Sequence, residues 1–280
     1  QWCADCETSL AKHELEYEND KDTSIFLKFK LKDKDEYLII WTTTPWTIPY
    51  NLGVMVNPEL EYLKVKVDGE IWYVSKALAG IFIQSMLGKK FEILEEFHGE
   101  KMEGWEYEHP LYHDLKEVYD EIKKDQPKIH TIFLSKEYVD TTAGTGLVHN
   151  APGCGPEDFE VASKYGVKAF NRLNEKGQFE DMCKFDGWQA KVDDKKFIKY
   201  FEEIGCLIKS SPVEHEYAHC WRCHNPIVFR TTEQWFLKIE DLVPQMLKQN
   251  EDVKWVPEFC SENYKKWIGS LKDNAITRQR

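Results

Sequence analysis

The chain has 280 residues, of which 42% are hydrophobic and 31% charged, enough for one large domain or two smaller ones with ample core. A net charge of −12 excludes a surface that wraps nucleic acid unaided, and the lysine pairs at 89–90, 123–124, 195–196 and 265–266 are scattered rather than gathered into a patch. No apolar run approaches the ~18 residues of a membrane-spanning helix, and no signal peptide opens the chain.

The chain begins Gln1-Trp2-Cys3 without an initiator methionine, so a fragment or processed product is expected. Alternating apolar residues predict strands over 26–31, 37–41, 63–67 and 71–74. Asp33-Lys34-Asp35 and Asp68-Gly69-Glu70 are turn material between them. A short helix is expected over 76–87, ended by Gly88, and a strand over 91–97. Residues 131–134 and 146–149 read as buried strands. Gly155-Pro156-Glu157-Asp158 opens a helix, with Pro at its first position and Gly166 past its end. Further helices are expected over 193–204 and 239–250. The fold class is mixed and β-rich: a closed or nearly closed β-barrel decorated with helices. The expected organisation is an entry segment (1–30), the barrel (31–210), a return segment (211–240) and a helical extension (241–280).

Eight cysteines without a secretory signal argue for a reducing compartment. Cys3 and Cys6 form one Cys-x-x-Cys, and Cys220 and Cys223 form another. Four thiolates are the set of a closed tetrahedral zinc site, so a structural zinc is expected, stapling the root of a body that is nearly the whole chain. Cys183, Cys206 and Cys260 read as buried small hydrophobes. Cys154 lies in a glycine-rich loop with no obvious base beside it.

Two segments carry the candidate chemistry. In Trp41-Thr42-Thr43-Thr44-Pro45-Trp46-Thr47-Ile48-Pro49, threonines close a strand and Pro45 ends its ladder. Hydroxyls and free backbone there suit a ribose, an ester or a water, or the segment is simply a Thr-rich edge strand. In the segment from Gly144 to Asp158, a strand ends at His149 and a Gly-rich loop leads into a helix. The helix dipole is expected to keep Asp158 ionised, a natural partner for an ammonium; a plain helix cap is the other reading. His149 alone reads better as a satisfied core histidine. No nucleophile elbow, His-Glu-x-x-His or phosphate-binding loop is present.

Together these segments resemble the inserted editing domain (connective polypeptide 1) of isoleucyl-tRNA synthetase, a class I aminoacyl-tRNA synthetase, over nearly the whole chain. The likeness rests on Trp2-Cys3-x-x-Cys6, the Thr-rich peptide with Asn51, Gly144-Thr145-Gly146 through His149 to Asp158, His219-Cys220-Trp221-Arg222-Cys223, and Thr232-Glu233-Gln234-Trp235-Phe236. The resemblance implies post-transfer proofreading, the hydrolysis of valine misattached to tRNA(Ile). It implies Asp158 as ammonium anchor, Thr44 and His149 in the catalytic set, and Thr42, Thr43, Thr47 and Asn51 as substrate-binding residues. Its implied partners are the valine-bearing 3′ end of tRNA(Ile) and the rest of the synthetase chain, in the cytoplasm and away from membranes. The family's HIGH and KMSKS signatures are absent, so amino-acid activation is not expected of this segment. Valyl- and leucyl-type editing domains are the alternative, although their Arg-Pro after the threonines is replaced here by Thr44-Pro45-Trp46. A stand-alone hydrolase and a non-catalytic zinc-stapled tRNA-binding or interaction domain are the others.

Overall fold

The computed structural model describes residues 1–279, in two compact units, Gln1–Thr231 and Thr232–Arg280. The first is organised around a long antiparallel ribbon. Strand Leu15–Leu31 pairs with strand Leu207–Cys220, from Leu27 opposite Leu207 to Leu15 opposite Cys220. The sequence predicts only the 26–31 end of it. Beyond Ile25 both strands are polar on both faces, so no period-2 signal survives, and Pro212 lies inside the second strand. Ion pairs hold that stretch instead. Lys191 contacts Asp22, His215 Nε2 lies 2.8 Å from Asp22 Oδ2, and Lys191 Nζ lies 3.5 Å from Asp20.

Asp33, at φ 60°, turns the chain into strand Glu36–Thr42, which pairs antiparallel with the ribbon from Lys30–Tyr37 to Ile25–Thr42. On its other side Glu36–Thr42 forks. Its first half pairs parallel with Glu70–Ser75, and Trp41 pairs parallel with Val148. One branch continues through Glu61–Val67 to Glu92–His98. Its hairpin turn places Asp68 and Gly69 at φ 49° and 94°, as a type I′ turn requires. The other branch runs through Val148–Asn150 and Gly53–Val56 to Thr131–Leu134. It curls into a half-barrel. Thr131 bridges to Glu106, and Tyr107–Glu108 pairs back onto Lys30 and Leu31.

Side-chain alternation fills the two faces. Leu27, Phe29, Leu38, Ile40, Val54 and Phe133 enter the main core. Their neighbours Phe26 and Ile39 point the other way, with Val65, Trp72 and Phe82, under a helical stretch formed by Lys76–Ala79 and the π-turn Gly80–Met86. Each such fully buried side chain contributes roughly 1.5–3 kcal/mol relative to exposure.

The helices Pro156–Lys164, Asp194–Glu203 and Val243–Asn250 fall where the sequence places them. Strand Val148–Asn150 begins two residues later than expected, because Gly146 sits at φ 77°, outside any strand. The buried strand Gly53–Val56 and the helix Lys116–Asp125 are absent from the sequence reading. Cys206 is buried as expected, but Cys260 is only half-buried and Cys183 is exposed. At that turn Met182 takes the core position and Cys183, at φ 53°, is turned outward.

In the second unit, Phe236–Leu237 pairs with Asn274–Ala275, and helix Val243–Asn250 packs on helix Phe259–Gly269. The Asn250 amide joins them, donating to Ser261 Oγ at 3.1 Å and accepting from Trp255 Nε1 at 2.8 Å. Among the described residues no helix is long and apolar enough to cross a membrane.

Candidate functional site

The Thr-rich peptide and the Gly-rich segment meet at the fork of the sheet. Strand Glu36–Thr42 ends at Thr42, and the 3-10 turn Pro45–Tyr50 follows. Strand Val148–Asn150 lies between Glu36–Thr42 and Gly53–Val56, with His149 opposite Val54. Its approach depends on the loop before it. Thr145 Oγ1 donates to Ile39 O at 2.6 Å, Tyr62 OH donates to Gly146 O at 2.7 Å, and a Cβ on Gly146 would lie 2.3 Å from Ser75 Cβ. Only glycine combines that approach with a left-handed φ.

The junction builds a chain of hydroxyls. Thr42 Oγ1 lies 3.2 Å from Thr44 Oγ1 and accepts the Thr44 N–H at 3.1 Å. Thr44 Oγ1 lies 3.1 Å from Thr47 Oγ1, which in turn lies 3.1 Å from His149 Nε2. Thr47 Oγ1 donates its proton to Thr44 O at 2.7 Å, so its lone pairs face Thr44 and His149. That polarity assigns the Nε2–H tautomer to His149 and leaves Nδ1 as a buried lone pair without a partner. Burial pushes the His149 pKa down to about 4, so the ring is neutral at physiological pH. Thr42, Thr47 and His149 are buried, and Thr44 is half-buried.

Asp158 is held by Asn150 and Ala151, the two residues that follow His149. Strand alternation sends His149 and Asn150 to opposite faces. Asn150 Nδ2 donates to Asp158 O at 2.9 Å and reaches its Oδ1 at 3.4 Å, and the Ala151 N–H also donates to the carboxylate. The expected ionisation by the helix dipole is overturned. Desolvation pushes the Asp158 pKa up to about 8 despite the Ala151 bond, and Glu157 adds repulsion. The side chain is not sealed off, but protein atoms surround the carboxyl closely enough to strip most of its water.

Thr43 is half-buried and joins none of these bonds. Asn51 is fully buried and committed to protein. Its Nδ2 donates to Gly53 O at 2.7 Å, and its Oδ1 accepts from Tyr107 OH at 2.5 Å. Burial raises the Cys154 thiol well above its usual range, which disfavours the thiolate. Sequence reading misses Asn150, which ties Asp158 to the strand, and Asp194, whose Oδ1 accepts the Trp46 N–H at 3.1 Å. Neither residue has a local signal, since each acts through a partner distant in the chain.

The four motif cysteines come together at the far end of the ribbon, where Leu15 pairs with Cys220. Trp2 and Val228 exchange backbone hydrogen bonds at 2.8 and 2.9 Å, joining the entry and return segments. The Sγ atoms of Cys3, Cys6, Cys220 and Cys223 lie within 4.8 Å of one another, and Cys3 and Cys223 are 3.4 Å apart. Metal–sulfur bonds of ~2.3 Å imply tetrahedral edges of about 3.8 Å, so the set fits a four-thiolate metal site. The Cys6 N–H points at Cys3 Sγ at 3.3 Å, a donor that stabilises thiolate charge.

A family model described as class I tRNA synthetases (I, L, M and V) matches residues 1–280. The isoleucine–tRNA ligases of Thermococcus kodakarensis and Pyrococcus abyssi are each 42% identical over 287 aligned residues. The alignments cover 100% of this chain and 27% and 26% of those proteins, so the chain spans about a quarter of the relatives it matches. A crystal structure named GlLeuRS-CP1 is similar in fold, with a TM-score of 0.51 at 15% identity, covering 67% of this chain and 98% of that one.

Proposed function

The chain belongs to the class I tRNA synthetases of the isoleucine, leucine, methionine and valine group, and on that premise we propose that it is the editing segment of an isoleucine–tRNA ligase, which hydrolyses valine misattached to tRNA(Ile). The observation that carries the reading is the Thr42–Thr44–Thr47–His149 relay, in which the half-buried Thr44 is linked through Thr47 to a neutral imidazole. A methylene distinguishes isoleucine from valine by only about 1–3 kcal/mol, so a synthetic site alone misacylates, and a second, smaller site is the physical remedy.

An aminoacyl ester is already activated, so the site need only hold the substrate, place a water and exclude the larger side chain. Thr44 orients the water, with Thr42 and Thr47 fixing the direction of its hydrogen bonds. Neutral His149 holds Thr47 and forms a wall that sets the size limit. Thr43 lies beside them for the terminal ribose. Asp158 anchors the substrate ammonium. An arriving cation favours the ionised carboxylate, so binding draws its pKa down from about 8 and loads the charge only when substrate is present. No protein group here is a strong base at neutral pH, so the water is activated by the ester's own polarisation and a neighbouring tRNA hydroxyl. The curled half-barrel serves as the editing barrel.

The four cysteines would hold zinc as a structural ion, with no open position for substrate. Reduced thiols go with a cytoplasmic location. The partners are the 3′ end of tRNA(Ile) and the rest of the synthetase chain. Asp158→Ala in the full-length synthetase tests the anchor. Loss of Val-tRNA(Ile) hydrolysis is expected, and hydrolysis at the normal rate would remove Asp158 from the assignment.

A further inference from the structure

The turn Pro45–Tyr50 carries Thr47 and follows Thr44, so its placement sets the spacing of the relay. Its first residues leave one donor to satisfy. Pro45 has no N–H, and the Thr47 N–H bonds Thr44 O at 3.0 Å. The remaining Trp46 N–H donates to Asp194 Oδ1 at 3.1 Å, across 148 residues. The other end of the turn is held by groups that are neutral near pH 7. His109 Nε2 lies 3.1 Å from Ile48 O, and Tyr119 OH donates to Pro49 O at 2.9 Å. Burial keeps His109 unprotonated and Tyr119 un-ionised. Among the described residues, Asp194 is therefore the carboxylate that holds the turn.

We propose that Asp194 is a positioning residue for ester hydrolysis, acting through the Trp46 N–H to fix the Thr44 and Thr47 hydroxyls. The proposal rests on the editing reading and deepens it. An asparagine would supply the same acceptor without the cost of burying a carboxyl. With a carboxylate there, the grip on Trp46 strengthens on ionisation, because a charge-assisted hydrogen bond is roughly twice as strong as a neutral one. The groups facing Asp194 set where that happens. Desolvation raises its pKa to about 7, the Trp46 N–H and Lys191 pull it down, and Asp22 and Asp193 push it up. Tyr217 faces the same carboxyl from the ribbon and stays neutral. The turn is thus held more tightly above neutrality than below it.

The test is single-turnover deacylation of Val-tRNA(Ile) by the full-length synthetase, wild type against Asp194→Asn and Asp194→Ala, between about pH 6 and pH 8. Isoleucine activation by the same preparations checks that each chain is intact. Asp194→Ala should lower the rate constant at saturating enzyme about 10- to 100-fold with the half-saturating concentration unchanged. Asp194→Asn should rescue most of the rate. The ratio of wild type to the Asn variant should rise with pH through about 7. An Ala variant as fast as wild type overturns the proposal, as does a ratio that is flat with pH; the latter holds even where the Ala variant fails to fold. A wild-type enzyme that does not deacylate overturns the editing reading and takes this proposal with it.

Discussion

Thr47 Oγ1 lies 3.1 Å from His149 Nε2, although 102 residues separate them. The contact joins the Thr-rich peptide to the Gly-rich segment in one side-chain chain. It also makes the relay directional, because Thr47 spends its proton on Thr44 O. Removing the hydroxyl should uncouple the two segments. Thr47→Ala is expected to slow Val-tRNA(Ile) hydrolysis about 10- to 100-fold, while Thr47→Ser retains most of the rate. A Ser variant as slow as the Ala variant would show that the methyl group, not the hydroxyl, matters.

Stability should fall as pH rises from about 6.5 to about 8. Asp158 and Asp194 have folded pKa values near 8 and 7, raised above their unfolded values by burial. Each therefore contributes stability that is complete below the unfolded pKa of about 4 and lost as pH rises through the folded value. His149 and His130, lowered by burial to about 4 and about 3, work the other way, losing stability as pH falls from about 6.5. The two trends oppose each other below pH 6.5, and above it the carboxyls act without the histidines. Asp158→Asn should remove about 1–3 kcal/mol of the alkaline decline in urea unfolding. Parallel curves for variant and wild type would place the titration elsewhere.

Metal at the four-cysteine site should hold the open end of the ribbon. About one equivalent of zinc per chain is expected, lost in Cys220→Ser. With it, amide exchange should quicken at Trp2 and Val228, whose mutual hydrogen bonds close the root. Exchange at Val54, in the buried sheet, should change far less. Full zinc retention in the Ser variant would exclude Cys220 as a ligand.

Gly146→Ala should be costly for its size. The new Cβ would meet Ser75 Cβ at 2.3 Å, and φ is 77°. A loss of about 1–3 kcal/mol is expected from strain and displacement, read as a lower urea midpoint with unchanged slope. An unchanged midpoint would mean that the loop before His149 shifts freely.

Much of the first unit is legible in the sequence where burial alternates. Residues 37–41 announce themselves because one face meets one core and the other face a second, and 63–67 because Leu63, Val65 and Val67 are buried while Lys64 and Lys66 face outward. The ribbon beyond Ile25 is not legible, because ion pairs such as Lys191 with Asp22 replace apolar contact there. The candidate threonines, His149 and Asp158 are visible as motifs, and the hydroxyl chain gathers Thr42, Thr44, Thr47 and His149. The charge state of Asp158 is not legible. Its place in the first helical turn points to ionisation, whereas desolvation by burial favours the protonated form. The partners of Asn51 are not legible either, since its amide bonds Gly53 O and Tyr107 OH, the latter from a distant strand.

The most direct measurement is single-turnover hydrolysis by the full-length synthetase of Val-tRNA(Ile) and Ile-tRNA(Ile) side by side, wild type against Thr44→Ala. The account predicts rapid release of valine, sparing of isoleucine, and loss of valine release in the variant. Valine left on the tRNA by the wild type, or isoleucine removed as fast as valine, would contradict it.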